Sequence, residues 1–335
     1  MSQRVRAEIA DDPGWRLSEF LLRWETILIA LLAAVFIGDT FLSPYFLDIY
    51  NLSDATSNFS EKAIIALGMA LLILVREIDL SVAAIIALSS LAMGLASQAG
   101  AGAATLILIG ISVGAVCGSF NGFLVARVGL PSIVVTIGTM SLFRGIAQVA
   151  LGDQAITQYP AAFQSLGQDY LIKWPPLHYS FALFLIFTVL FALTLHRTAF
   201  GRKLYAIGNN PIAARFSGIP VERIKFALFV LTGLLSGIAA VLLTARIGST
   251  RPNIALGWEL EVVTMVILGG VSIAGGSGTI PGVVIAVFVL GLVTFGLSLI
   301  NVPGIVISVI LGFLLIASIT LPILARRIMT GSPSR

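Results

Sequence analysis

Arg76, Glu77, Asp79 and Ser81 interrupt an apolar stretch that runs from Ala63 to Ser97. A charge at the bilayer centre costs about 2.5–3.5 kcal/mol on insertion scales, so this cluster either caps a turn between two helices or lines a wet cavity. Asp79 or Ser81 can cap the helix that follows through its first backbone N–H groups, and Arg76 with Glu77 can neutralise one another locally. Asn121, Thr136, Thr139 and Arg144 continue the polar series. Threonines in membrane helices usually bond their own backbone, which leaves Asn121 and Arg144 as the informative pair. Arg144 either snorkels to the interface or pairs with an acid such as Glu259 or Glu261. Asp79, Ser81, Asn121 and Arg144 are therefore the candidate residues of a polar pathway, while Glu259 and Glu261 would equally suit proton coupling.

Other constellations exclude chemistry. The run from Leu268 to Thr279 has the glycine content of a phosphate loop, but no Gly-Lys-Ser/Thr triplet occurs in the chain, so a phosphate cradle with its lysine is absent. Its glycines suit a flexible or broken-helix junction with positive φ and close backbone approach. His178 and His196 lack His-Glu-x-x-His spacing, and Cys117 is the single cysteine, so neither a zinc site nor a disulfide is expected. No Gly-x-Ser-x-Gly elbow accompanies the histidines. The expectation is no catalytic residue, no metal, and no enzyme.

The elements that must hold these residues are membrane helices. With 58% hydrophobic and 11% charged residues and a mean hydropathy of +1.02, the chain is far from a soluble domain, where roughly a quarter of residues are charged. A span needs about 20 apolar residues. Apolar runs near 25–43, 60–76, 82–98, 104–126, 131–151, 178–195, 226–246, 259–273, 281–300 and 305–325 predict an all-α polytopic membrane protein of about ten spans. Segment 1–24 is expected to be an uncleaved cytoplasmic N-terminus, 25–325 the transmembrane domain with a cytoplasmic loop at 196–225, and 326–335 a cytoplasmic tail. In that orientation only Lys62, Arg144, Lys173, Arg246 and Arg251 of the 20 Lys and Arg residues fall away from the cytoplasmic side, as the positive-inside rule asks. The basic residues sit at apolar boundaries and form no nucleic-acid-binding face; anionic lipid accounts for them better. All four tryptophans, Trp15, Trp24, Trp174 and Trp258, fall at or beyond span ends, where headgroup-level rings are common. Five spans on each side of the polar 152–177 connection would give two inverted halves.

Gly110, Gly114, Gly118 and Gly122 recur every four residues, with Gly233 and Gly237 repeating the step once; such stripes let helices approach closely. The loop opened by Thr198 is basic and glycine-punctuated, and reads as a surface for a partner. Asn210 suits an N-cap, Pro211 the first helical position and Gly218 a stop, so a short helix following Asn209 and ending at Ser217 is predicted along the membrane surface. Its surface is otherwise small and basic, with Arg215 in it, and Phe216 either anchors the partner or packs on the ends of the chain's own spans.

One ordered set of residues carries more. Ile78-Asp79-Leu80-Ser81-Val82, Phe120-Asn121-Gly122, Thr136-Ile137-Gly138-Thr139-Met140 with Arg144-Gly145, Phe200-Gly201-Arg202 through Asn209-Asn210, Ser217-Gly218-Ile219, Leu268-Gly269-Gly270 and Gly275-Gly276-Ser277-Gly278 resemble the permease subunits of ribose-type monosaccharide ABC importers, over about residues 25–325. The stretches 76–86 and 245–283 look most like L-rhamnose permeases. Arg76-Glu77 stands where the family usually has glycine, which fits a branch other than ribose. The resemblance implies an inner-membrane translocation subunit working by alternating access. It implies a second permease copy or paralogue, a cytoplasmic ATPase dimer holding the ATP and Mg, and an extracytoplasmic binding protein that delivers the sugar. Asn209, Asn210, Pro211, Arg215, Phe216, Ser217 and Gly218 would then couple to the ATPase. An ion-coupled secondary carrier is the alternative from another class; a permease for another sugar, an autoinducer or a nucleoside is the alternative within it.

Overall fold

The computed structural model describes residues 24–330. Segment 1–24 except its last residue, Trp15 with it, and the end of the 326–335 tail lie outside the described residues. Thirteen described helices account for the fold: α1 (Trp24–Leu42), α2 (Ile49–Leu74), α3 (Val82–Gln98), α4 (Ala103–Ala126), α5 (Ser132–Leu151), α6 (Ala161–Gln168), α7 (Tyr179–Arg197), α8 (Ala199–Asn209), α9 (Pro211–Phe216), α10 (Val221–Ile247), α11 (Trp258–Leu268), α12 (Ile280–Leu299) and α13 (Gly304–Thr330). A small antiparallel hairpin, β1 (Tyr170–Lys173) and β2 (Pro176–His178), precedes α7. An apolar helix stands at each of the ten expected places. Of these, α1, α2, α4, α5, α7, α10 and α12 are long and apolar enough to cross a membrane.

Two departures matter for function. α2 begins at Ile49, well before the expected 60, because the polar residues of its first half find partners there. Asp48 accepts from the N–H groups of Tyr50 and Asn51 at 2.9 and 3.1 Å, Asp54 meets His178 at 3.0 Å, and Ser57 meets Ser180 at 3.2 Å. α11 is the second departure, with only 11 residues. At 1.5 Å per residue it covers about 16 Å, roughly half of a hydrocarbon core. Residues 248–257 before it are non-helical and run back into the bundle. Thr250 bonds Ser90 Oγ at 2.6 Å and pairs its backbone with Ile156. Trp258, expected at headgroup level, thus stands at the start of a helix inside the bundle and lines a cavity.

α2 is the central helix, buried along nearly its whole length, while α1 shows most of its surface outward. Against it pack α10, α11, α12 and α7. The tightest seam joins α4 to α10. A Cβ placed on Gly114 would lie 2.7 Å from Gly237 Cα and 2.8 Å from Gly237 N. One on Gly118 would lie 2.9 Å from Gly233 Cα. The glycine stripe is a packing device, as its spacing suggests.

Candidate functional site

The break between α2 and α3 gathers the polar residues of the first half. Ser81 N donates to Asp79 Oδ1 at 2.9 Å and Ser81 Oγ to the same oxygen at 2.6 Å, while Asn121 Nδ2 on α4 donates to Ser81 Oγ at 2.7 Å. All three side chains are fully buried. Asp79, rather than Ser81, closes the turn: Ser81 makes no side-chain cap bond to α3. Thr136 donates to the carbonyl of Ser132 at 2.8 Å, the local bond that its residue type favours.

Arg144 takes a third arrangement, neither snorkelling nor held in an ion pair with Glu259 or Glu261. Its Nη1 donates to the carbonyls of Pro252 and Ile254 at 2.9 and 2.7 Å, and Nη2 to that of Ala83 at 3.1 Å. A guanidinium offers five N–H donors in a fixed fork, so one buried side chain can fasten the inward-dipping 248–257 segment to the start of α3. The structure therefore brings Asp79, Ser81 and Asn121 together, while Arg144 bonds none of them and reaches α3 through the carbonyl of Ala83.

Arg76 and Glu77 do not neutralise each other. Arg76 sits at φ 68, and its Nε and Nη2 donate to the carbonyls of Gly208 and Asn209 at 2.6 and 2.7 Å. Glu77 forms an ion pair with Lys225 at the start of α10. Leu74 O accepts from Gly276 N at 2.9 Å, and Tyr205 donates to Gly278 O at 2.7 Å. A Cβ on Gly208 would run into Leu74 O and Gly276 N, with Gly276 Cα 2.7 Å away. The glycine run 269–279, with positive φ at Gly270, Gly275, Gly276 and Gly278, is thus a seat for the end of α8. At this junction end of the bundle, α8, the α2–α3 break and the second-half loop meet backbone to backbone.

From that junction projects α9. Asn210 Oδ1 accepts from Ile212 N and Ala213 N, both at 3.0 Å, with Pro211 in the first turn. Ser217 Oγ returns to Ala213 O at 2.9 Å, Asn209 Nδ2 to Tyr205 O at 2.9 Å, and Gly218 ends the helix at φ 81. Arg215 pairs with Glu222 of α10. Phe216 is 89% exposed, so it does not pack on the chain's own spans.

Sequence reasoning missed a second cluster, near the hairpin end. Lys62 pairs with Glu261 and stands 4.8 Å from the centre of the Trp258 ring. Arg246 Nε donates to Glu61 at 2.7 Å and its Nη1 to Asn58 Oδ1 at 2.5 Å. The signal was present: Lys62 and Arg246 are two of the five basic residues that the positive-inside pattern leaves over, and an unexplained intramembrane charge points to a polar site.

Residues 51–319 match the family described as the permease component of branched-chain amino acid transport systems. Over 301 residues the chain is 38% identical to an autoinducer 2 import system permease protein, LsrD, of Yersinia enterocolitica, covering 88% of this chain and 89% of that protein. It is 36% identical over 283 residues to the LsrD protein of Shigella flexneri, covering 82% and 84%. No solved structure matches.

Proposed function

The chain belongs to the permease-component family of branched-chain amino acid transport systems, and on that premise we propose that it is the translocating subunit of an ATP-driven importer for a small sugar-like solute. The observation that carries this reading is α9: a capped, exposed helix on a basic loop, fastened by Arg76 to the break that holds Asp79, Ser81 and Asn121. A partner that moves α9 would move that break. ATP and Mg belong to a separate cytoplasmic ATPase dimer seated on Asn209 to Gly218. An extracytoplasmic binding protein delivers the solute, and a second permease copy or paralogue completes the path. Asp79, Ser81, Asn121 and Arg144 support the path's walls. An ion-coupled carrier would need no such projecting helix.

The relatives make autoinducer 2 the first solute to test; the likeness of 76–86 and 245–283 to L-rhamnose permeases makes that sugar the second. We expect cells carrying this chain with its ATPase and binding protein to accumulate one of the two labelled solutes, and to lose accumulation when the ATPase is inactivated. Accumulation unaffected by an inactive ATPase would favour the ion-coupled carrier instead.

Orientation follows from the basic residues near 197–225: the junction end and both chain termini face the cytoplasm of a bacterial inner membrane, the hairpin end the outside. Cysteines placed at 160 and 210 should label from opposite sides, 160 with an impermeant reagent added to whole cells. Labelling of 210 from outside would reverse the assignment.

A further inference from the structure

Two cavities adjoin near the hairpin end and share Asn58 and Arg246. One, of about 310 Å³, is lined by Asp54, Gln168 and His178 beside the β-hairpin. The other, of about 360 Å³ and here called the inner cavity, is lined by Lys62, Trp258, Glu261, Thr294 and Ser298. The hydrogen bond from Arg246 to Asn58 stands where the two meet.

The inner cavity has a definite chemical character. Its cations are matched, Lys62 by the largely buried Glu261 and Arg246 by the fully buried Glu61, so an anion would have to displace one of these carboxylates from its partner, and a buried charge left unpaired is strongly destabilising. Its polar lining, Asn58, Lys62, Arg246, Glu261, Thr294 and Ser298, holds both donors and acceptors, which suits a molecule whose hydroxyls both give and take hydrogen bonds. Trp258, Phe59 and Met265 add apolar surface to the same lining. The volume lies at the lower end of small-molecule sites, roughly 300–1,000 Å³.

We infer that this cavity binds one neutral polyhydroxylated molecule of monosaccharide size, admitted from the hairpin side when the Arg246–Asn58 contact opens. The inference rests on the import reading only for the choice of probes. The test uses the purified full chain in lipid nanodiscs, without ATPase or binding protein, titrated with L-rhamnose, autoinducer 2 and, as an anionic control, gluconate. Binding is read by equilibrium dialysis of labelled solute and by tryptophan emission.

One neutral probe should bind saturably and gluconate should not. The emission change should vanish in Trp258→Phe. Thr294→Leu, which fills the cavity without touching either ion pair, should weaken binding at least tenfold while leaving the size-exclusion profile unchanged; Lys62→Met should weaken it similarly. Absence of saturable binding by both neutral probes, or equal binding by wild type and Thr294→Leu, overturns the site. Uptake by the assembled importer separates the two claims. Uptake of a probe that the isolated chain does not bind removes the cavity and leaves the import reading, whereas binding without uptake supports the cavity and counts against import of that solute.

Discussion

Gly233→Val should strongly destabilise the chain. A Cβ at this position would lie 2.6 Å from Gly118 Cα and 2.8 Å from Gly118 N, and would run into Gly114 O. All three are backbone atoms, so no rotamer change relieves the clash and α4 must move away from α10 along the whole glycine stripe. Overpacking typically costs about 1–3 kcal/mol; with backbone on both sides the upper end applies. The matched control is Gly138→Val on α5, where nothing lies within 4 Å. Purified in the same detergent, Gly233→Val should lose its monodisperse peak or melt far below wild type, while Gly138→Val keeps both. Equal stability of the two variants would mean that the seam is not what holds the halves together.

The second large effect belongs to α9. Phe216 is 89% exposed, so Phe216→Ala removes little from the isolated chain, where surface changes usually stay within about 0.5 kcal/mol. If the ring fills a pocket of the ATPase, its loss should cost about 2 kcal/mol or more of docking energy, roughly thirtyfold in affinity. Gly218→Pro acts on the same helix by geometry. Proline holds φ near −65° where the chain needs 81°, and it deletes the N–H that donates to Arg215 O at 3.0 Å. Both variants should reach the membrane in normal amounts, with ATPase activity that no longer responds to solute and uptake reduced at least tenfold. Solute-stimulated ATPase activity and uptake at wild-type levels in both would refute the docking role; loss of Phe216→Ala protein from the membrane would assign the ring to the chain's own fold.

What the sequence disclosed divides along a physical line. Features written in consecutive residues were readable: the four-residue glycine period, the Asn210-Pro211 start and Gly218 stop of α9, and the polar break after Leu74. Features that depend on remote partners were not. Lys62 and Glu261 are 199 residues apart and Arg246 and Glu61 are 185, so no local pattern announces either pair. Arg144 finds backbone carbonyls, and a carbonyl has no residue type to search for. α11 failed for a related reason: an apolar run continues through Gly269, Gly270 and Val271, yet the helix ends at Leu268 because Gly270 turns left-handed at φ 87.

The seam between α4 and α10 also sets an order on the chain's birth. Gly118 emerges and enters the bilayer long before Gly233, with the central connection, α7 and the α8–α9 segment made in between. Until residues 221–247 follow, the glycine face of α4 has no backbone to lie against, Glu77 has no Lys225, and for most of that interval Arg76 has no carbonyls of Gly208 and Asn209 to grip. The first half is therefore not a finished unit to which a second is added; it is an open mould, closed only when α10 arrives.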